Sequence, residues 1–139
     1  MLEKRAREQY GLEIHAGPFG IDSRPALIGD KVAEAQGKGP TYHKAVMSAY
    51  WQQAQAIDDR EILKKIATSV GLDSGEFMAG LDNPVFNEQV SEDIELANMY
   101  GLSGVPALVF NDKYLVVGAQ PYTALKQVVE QIQKEEDEE

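Results

Sequence analysis

The sequence predicts a mostly helical α/β fold: a helical block, one long helix, a β-hairpin and a last helix. Three observations predict it. Only Ala107–Phe110 and Tyr114–Val117 are short apolar runs rich in β-branched and aromatic residues. Asn111 and Asp112 lie between them and tolerate the left-handed backbone of a tight hairpin turn. Elsewhere, apolar residues recur every three to four positions between helix start and stop signals.

In chain order, Leu2–Gln9 mixes Glu, Lys, Arg and Ala and reads as a helix stopped by Gly11. Leu12-Glu13-Ile14-His15 alternates and predicts a brief extended segment, and Gly17-Pro18-Phe19-Gly20 a loop. Asp22 or Ser23 caps the next helix, with Pro25 in its first turn and Gly37 after its last. Thr41 caps a helix running to about Ala56, whose apolar face would use Val46, Met47, Tyr50, Trp51 and Ala54. Asp58 with Glu61 forms a capping box before Ile62, Leu63, Ile66 and Val70, and Gly71 ends that helix. Asp73 with Glu76 repeats the pattern for a short helix through Leu81. Asn83-Pro84 starts the long helix, with Phe86, Val90, Ile94 and Ala97 inward and Gly101 as the stop. After the hairpin, Pro121 opens a final helix with Tyr122, Leu125, Val128, Val129 and Ile132 inward.

The chain has 139 residues, 43% hydrophobic and 26% charged, which suits one domain with a modest core. No apolar run approaches the ~18 residues of a membrane span. The charged start Met1-Leu2-Glu3-Lys4-Arg5 has no apolar h-region, so no secretory signal is expected and the expected compartment is the cytoplasm. A net charge of −10 repels phosphate backbones and argues against a nucleic-acid partner. The run Glu135-Glu136-Asp137-Glu138-Glu139 reads as a solvated, frayed acidic tail. With no cysteine, the chain has no thiol for redox catalysis and no cysteine for a metal.

No catalytic constellation stands out. His15 and His43 are far apart and sit in no metal-ligand spacing, so a surface or cap role is expected, with no metal and no cofactor. Asp58, Asp59 and Glu61 are explained by a helix start, where carboxylates meet the positive end of the macrodipole. The serines, Ser103 included, have no Gly-x-Ser-x-Gly elbow and no His–Asp relay. Met47, Tyr50 and Trp51 form the largest apolar cluster and read first as helix–helix core, with a groove lining as the alternative.

Gly104-Val105-Pro106 leads into the first strand. Proline belongs at a strand's first residue, and base rates for X-Pro bonds favour a trans bond that simply ends a loop. The run Tyr100-Gly101-Leu102-Ser103-Gly104-Val105-Pro106-Ala107-Leu108-Val109-Phe110, with Tyr114 and Gly118-Ala119-Gln120-Pro121, resembles the C-terminal half of the DsbA-like thioredoxin family, and within it the FrnE-type oxidoreductases. A looser resemblance reaches upstream to about Gly11. It implies a cis Val105–Pro106 bond and a loop, Gly104, Val105 and Pro106, that pairs with an extended substrate peptide. It also implies a partial thioredoxin-like fold over residues 1–134, with a helical insertion over about 11–82 and the C-terminal half over about 83–134, before the tail 135–139. In such proteins the insertion covers the substrate site, where Met47, Tyr50 and Trp51 would face the proline loop.

The family's first half is a strand–helix–strand unit carrying Cys-x-x-Cys, and this chain resembles a member without it. Three readings follow: the C-terminal portion of a thiol–disulfide oxidoreductase, redox-inactive alone; a cysteine-free module that holds peptides; or part of a glutathione-dependent isomerase of the 2-hydroxychromene-2-carboxylate isomerase type. The first is preferred. In the thioredoxin-like sheet the missing first strand lies beside the strand that starts at Pro106. An unpaired apolar edge is therefore expected, and with it a homodimer. That dimer would form by antiparallel pairing of the Pro106–Phe110 strands or by an N-terminal crossover. The alternative is Leu12-Glu13-Ile14-His15 folding back onto the edge.

Overall fold

The computed structural model describes residues 1–138. Glu139, the last residue of the expected acidic tail, lies outside the described residues. Two compact units divide the chain, Met1–Ile94 and Glu95–Glu139. The division falls inside the long helix, twelve residues beyond the expected 82/83 boundary.

The first unit contains α1 (Leu2–Tyr10), α2 (Arg24–Ala35), α3 (Gly39–Trp51), α4 (Arg60–Ser69), α5 (Ser74–Leu81) and the start of α6 (Pro84–Met99). α2 is its centre and packs on α3, α4 and α5. The core is built from Val32 and Ala33 of α2, Tyr42, Val46 and Ala49 of α3, Leu63, Ile66 and Ala67 of α4, Phe77 of α5 and Val90 of α6. Close approach is bought with glycine: a Cβ on Gly80 would stand 2.6 Å from a Val32 methyl.

Local chemistry fixes the helix ends. Gly11, at φ 64, closes α1 by donating to the Arg7 carbonyl. Asp73 caps α5 through the Glu76 N–H at 2.8 Å, as expected. α4 is capped by Asp59, not Asp58: Asp59 takes the extended backbone and accepts from the Glu61 N–H at 2.8 Å. At α2 the expected capping residues share the task, since Ser23 precedes the helix without a side-chain bond and Asp22 accepts from the Arg24 N–H.

α3 departs from the sequence reading at both ends and on its face. It begins at Gly39, with Pro40 in the first turn, and Thr41 lies inside it. It ends at Trp51, five residues early, because Ala54 turns to φ 53 and the chain reverses there. Its buried face is Tyr42, Val46 and Ala49: Val46 is buried as expected, whereas Met47 and Trp51 are exposed, Tyr50 is half-buried and Ala54 lies beyond the helix. Leu12-Glu13-Ile14-His15 is no strand: its last residue bonds the end of α3, the His15 N–H donating to the Trp51 carbonyl and the Ala54 N–H to the His15 carbonyl. It therefore does not supply the sheet edge.

The second unit holds the end of α6, β1 (Ala107–Phe110), β2 (Tyr114–Val117) and α7 (Tyr122–Asp137). β1 and β2 pair antiparallel, Ala107 opposite Val117 and Phe110 opposite Tyr114, as a two-stranded sheet. Asn111 and Asp112, at φ 51 and 53, make the turn. Tyr114 donates to Glu135, so the face bearing Leu108, Phe110, Tyr114 and Val116 is the one toward α7. The acidic tail is helical through Asp137: Glu135 and Glu136 accept from Tyr114 and Asn111 of the hairpin. Ile132 is buried as expected, whereas Tyr122 and Val129 of α7 and Ile94 of α6 are exposed.

Candidate functional site

Gly101, at φ 67, stops α6, and the Leu102 N–H turns back to the Ala97 carbonyl at 3.1 Å. The chain then crosses Gly104–Pro106 as a bend and enters β1. The Val105–Pro106 peptide bond is cis. The Pro106 carbonyl accepts from the Gly118 N–H at 2.8 Å, which ties the loop to the end of β2. Gly118, at φ 87, permits that turn, and the Gln120 amide donates to the Val117 carbonyl beside it. Val105 is 93% exposed, and among the described residues its backbone N–H and carbonyl have no partner. The loop thus presents an open amide and carbonyl on a backbone anchored just downstream.

The other sequence candidates lie in the first unit. Met47 and Trp51, 45% and 38% exposed, line a shallow depression of about 320 Å³ with Lys44, Ser48 and Gln52. Tyr50 is not part of it. Its ring meets Trp51 edge-on at 5.0 Å, its hydroxyl donates to the Pro18 carbonyl, and Gly17 makes room for it.

Sequence reasoning missed Asp30. Its carboxyl stands 3.7 Å from His43 Nδ1, and its second oxygen is buried without a partner among the described residues. Burial raises the Asp30 carboxyl above its ordinary pKa, while the nearby His43 opposes the rise. The Tyr42 hydroxyl on the next helix is likewise buried and unpaired. Among the described residues no three His, Cys, Asp or Glu side chains gather to hold a metal ion, and no helix is long and apolar enough to cross a membrane.

A second missed feature is a hollow of about 530 Å³ between β1 and α7, lined by Phe110, Tyr122, Leu125, Lys126, Val129, Glu130 and Gln133. The helical period had placed Tyr122 and Val129 inward. In the structure they line this open surface.

The family model for the DSBA-like thioredoxin domain matches residues 2–130. The chain belongs to that family. Among curated proteins it is 28% identical over 132 residues to the uncharacterized protein YwbO of Bacillus subtilis (strain 168), covering 91% of this chain and 64% of YwbO. It is 28% identical over 81 residues to the thiol:disulfide interchange protein DsbA of Azotobacter vinelandii, covering 58% of this chain and 38% of that protein. Among solved structures, a 2-hydroxychromene-2-carboxylate isomerase superposes with a TM-score of 0.77 at 21% identity, over 97% of this chain and 66% of that one. That likeness establishes the fold. The DsbA-like chain thus spans less than two thirds of the length of these curated relatives.

Proposed function

We propose that this chain is the substrate-presenting, C-terminal portion of a DsbA-family thiol–disulfide oxidoreductase, redox-inactive by itself. The observation that carries the reading is the open backbone of Val105 at an anchored proline loop in a chain of this family. The Val105 N–H and carbonyl hydrogen-bond an extended peptide in strand fashion, and Gly104 leaves room for its side chains. Disulfide exchange needs an attacking thiolate. The sequence has no cysteine, so the thiol comes from another polypeptide segment.

The test is a titration of the isotopically labelled protein with an unfolded, S-carboxymethylated peptide, followed by amide NMR. The expected result is shifts centred on Gly104, Val105 and Ala107, lost in Val105→Pro, together with no insulin reduction above background. Shifts that bypass the loop, or turnover by a pure sample, would overturn the reading.

A further inference from the structure

Ser103, Gly104 and Val105 make no backbone hydrogen bond among the described residues, so the ends of their loop decide where the open Val105 backbone stands. Downstream, the Pro106 carbonyl accepts from the Gly118 N–H at the open end of the hairpin. Upstream, Tyr100 follows α6 directly, and its hydroxyl donates to the Asp112 carboxylate at 2.6 Å. A hydrogen bond to an ionised acceptor is shorter and stronger than one between neutral groups. Asp112 is itself a fixed point. It sits in the hairpin turn at φ 53, between Asn111, which donates to Glu136 of α7, and Lys113, whose N–H returns to the Phe110 carbonyl at 3.0 Å. The segment from Tyr100 to Pro106 is thus fastened to the hairpin at both ends, at the turn through a side chain and at the open end through the backbone.

We propose that Tyr100 and Asp112 are positioning residues for the Val105 loop: their bond sets the backbone that receives the peptide. The proposal rests on the peptide-presenting reading above and adds to it a pair at the opposite end of the hairpin. The turn by itself needs only a residue that tolerates positive φ, and glycine would serve. Aspartate or asparagine at position 112 also supplies an acceptor for Tyr100, which glycine does not. With that bond removed, Gly101 and Gly104 leave the loop a wide choice of backbone conformations. Peptide binding would then have to order the loop as well, and affinity falls. With the bond in place the Val105 N–H and carbonyl are already set before the peptide arrives.

The test titrates the full chain with the S-carboxymethylated peptide by amide NMR, for the wild type and for variants of the pair. Tyr100→Phe and Asp112→Gly are each expected to raise the dissociation constant about three- to tenfold. The double variant is expected to bind no more weakly than either single one, because both remove the same bond. Asp112→Asn keeps an acceptor oxygen and a residue suited to positive φ, and is expected to bind as the wild type does. In the peptide-free protein, nitrogen relaxation reads the loop directly. The order parameters of Gly104 and Val105 are expected to fall in Tyr100→Phe and Asp112→Gly and to hold in Asp112→Asn. Unchanged order parameters in Tyr100→Phe overturn the proposal. So do a measurable wild-type affinity that Tyr100→Phe and Asp112→Gly leave unchanged, and additive losses in the double variant. If the wild type takes up no peptide while the order parameters respond as stated, the peptide-presenting reading falls and the positioning of the loop stands.

Discussion

Gly29 of α2 and the hydroxyl of Tyr42 on α3 occupy adjoining space so closely that a Cβ on Gly29 would stand 2.2 Å from the hydroxyl oxygen. The Phe77 ring, tilted 47° to Tyr42 with centroids 5.5 Å apart, closes the other side at 2.9 Å from the same point. Both rings are fully buried. Gly29→Ala is expected to lower stability by about 1–3 kcal/mol through overpacking, despite alanine's better helix propensity. Urea unfolding of the full chain measures it. Adding Tyr42→Phe recovers part of the loss, because the oxygen goes while a ring carbon at 2.9 Å remains.

Tyr42→Phe alone is expected to stabilise the protein by about 1 kcal/mol, because it deletes a buried hydroxyl that has no partner among the described residues. The gain grows with alkali. Burial, and secondarily the charge of Asp30, holds the Tyr42 hydroxyl well above its ordinary pKa of 10.0. Above that pH the unfolded chain loses the proton while the folded chain keeps it. The unfolded state then binds fewer protons, so stability falls as pH rises, by about 1.4 kcal/mol per pH unit. The variant lacks this slope, so the gap between the two unfolding curves widens above pH 10. A constant gap would show that Tyr42 ionises alike in both states.

The hairpin was legible because β-branched composition and a turn that tolerates positive φ coincide at Ala107–Val117. The face of α3 was not. The expected face, Val46, Met47, Tyr50, Trp51 and Ala54, shares only Val46 with the buried one, because it followed the largest side chains and passed over Tyr42 and Ala49. α2 lies against α3 through a surface that includes Gly29 and Ala33, and the face with small Ala49 and slim Val46 fits there. The early end of α3 had no signal either, since alanine at positive φ is set by the bonds around His15. At the site, Gly104-Val105-Pro106 stood out in the sequence. The hollow beside β1 did not, because the helical period of Tyr122 and Val129 shows that they share a face and says nothing about what covers it.

The cap of α4 separates two adjacent carboxylates of the same type. Asp59 accepts from the Glu61 N–H, and no side-chain cap from Asp58 is formed. Asp59→Ala is expected to cost about 1 kcal/mol, and Asp58→Ala less than about 0.5. Asp73→Ala, at the start of α5, should match Asp59→Ala. Equal losses at 58 and 59, measured by thermal unfolding, would point to a general charge–dipole effect instead of a specific cap.

The last turn of α7 is held by the hairpin, and Glu135 reports on it. Its carboxylate accepts from Gln131 on its own helix and from the Tyr114 hydroxyl on β2. Both bonds favour the ionised form, Gln131 more than Tyr114, and hold the Glu135 pKa below its ordinary 4.5. A carboxylate lowered in the folded state stabilises it above the unfolded pKa, and that contribution is lost as pH falls through the folded value. Carboxyl NMR should place Glu135 below 4.5. Tyr114→Phe moves it part of the way up, Gln131→Ala moves it further, and the double variant brings it close to the ordinary value. The Tyr114 hydroxyl should titrate above its ordinary 10.0, chiefly through the same bond, and fall back in Glu135→Gln. A solvated tail predicts no coupling between the two titrations, so the pair of variants decides whether the acidic end is part of the fold.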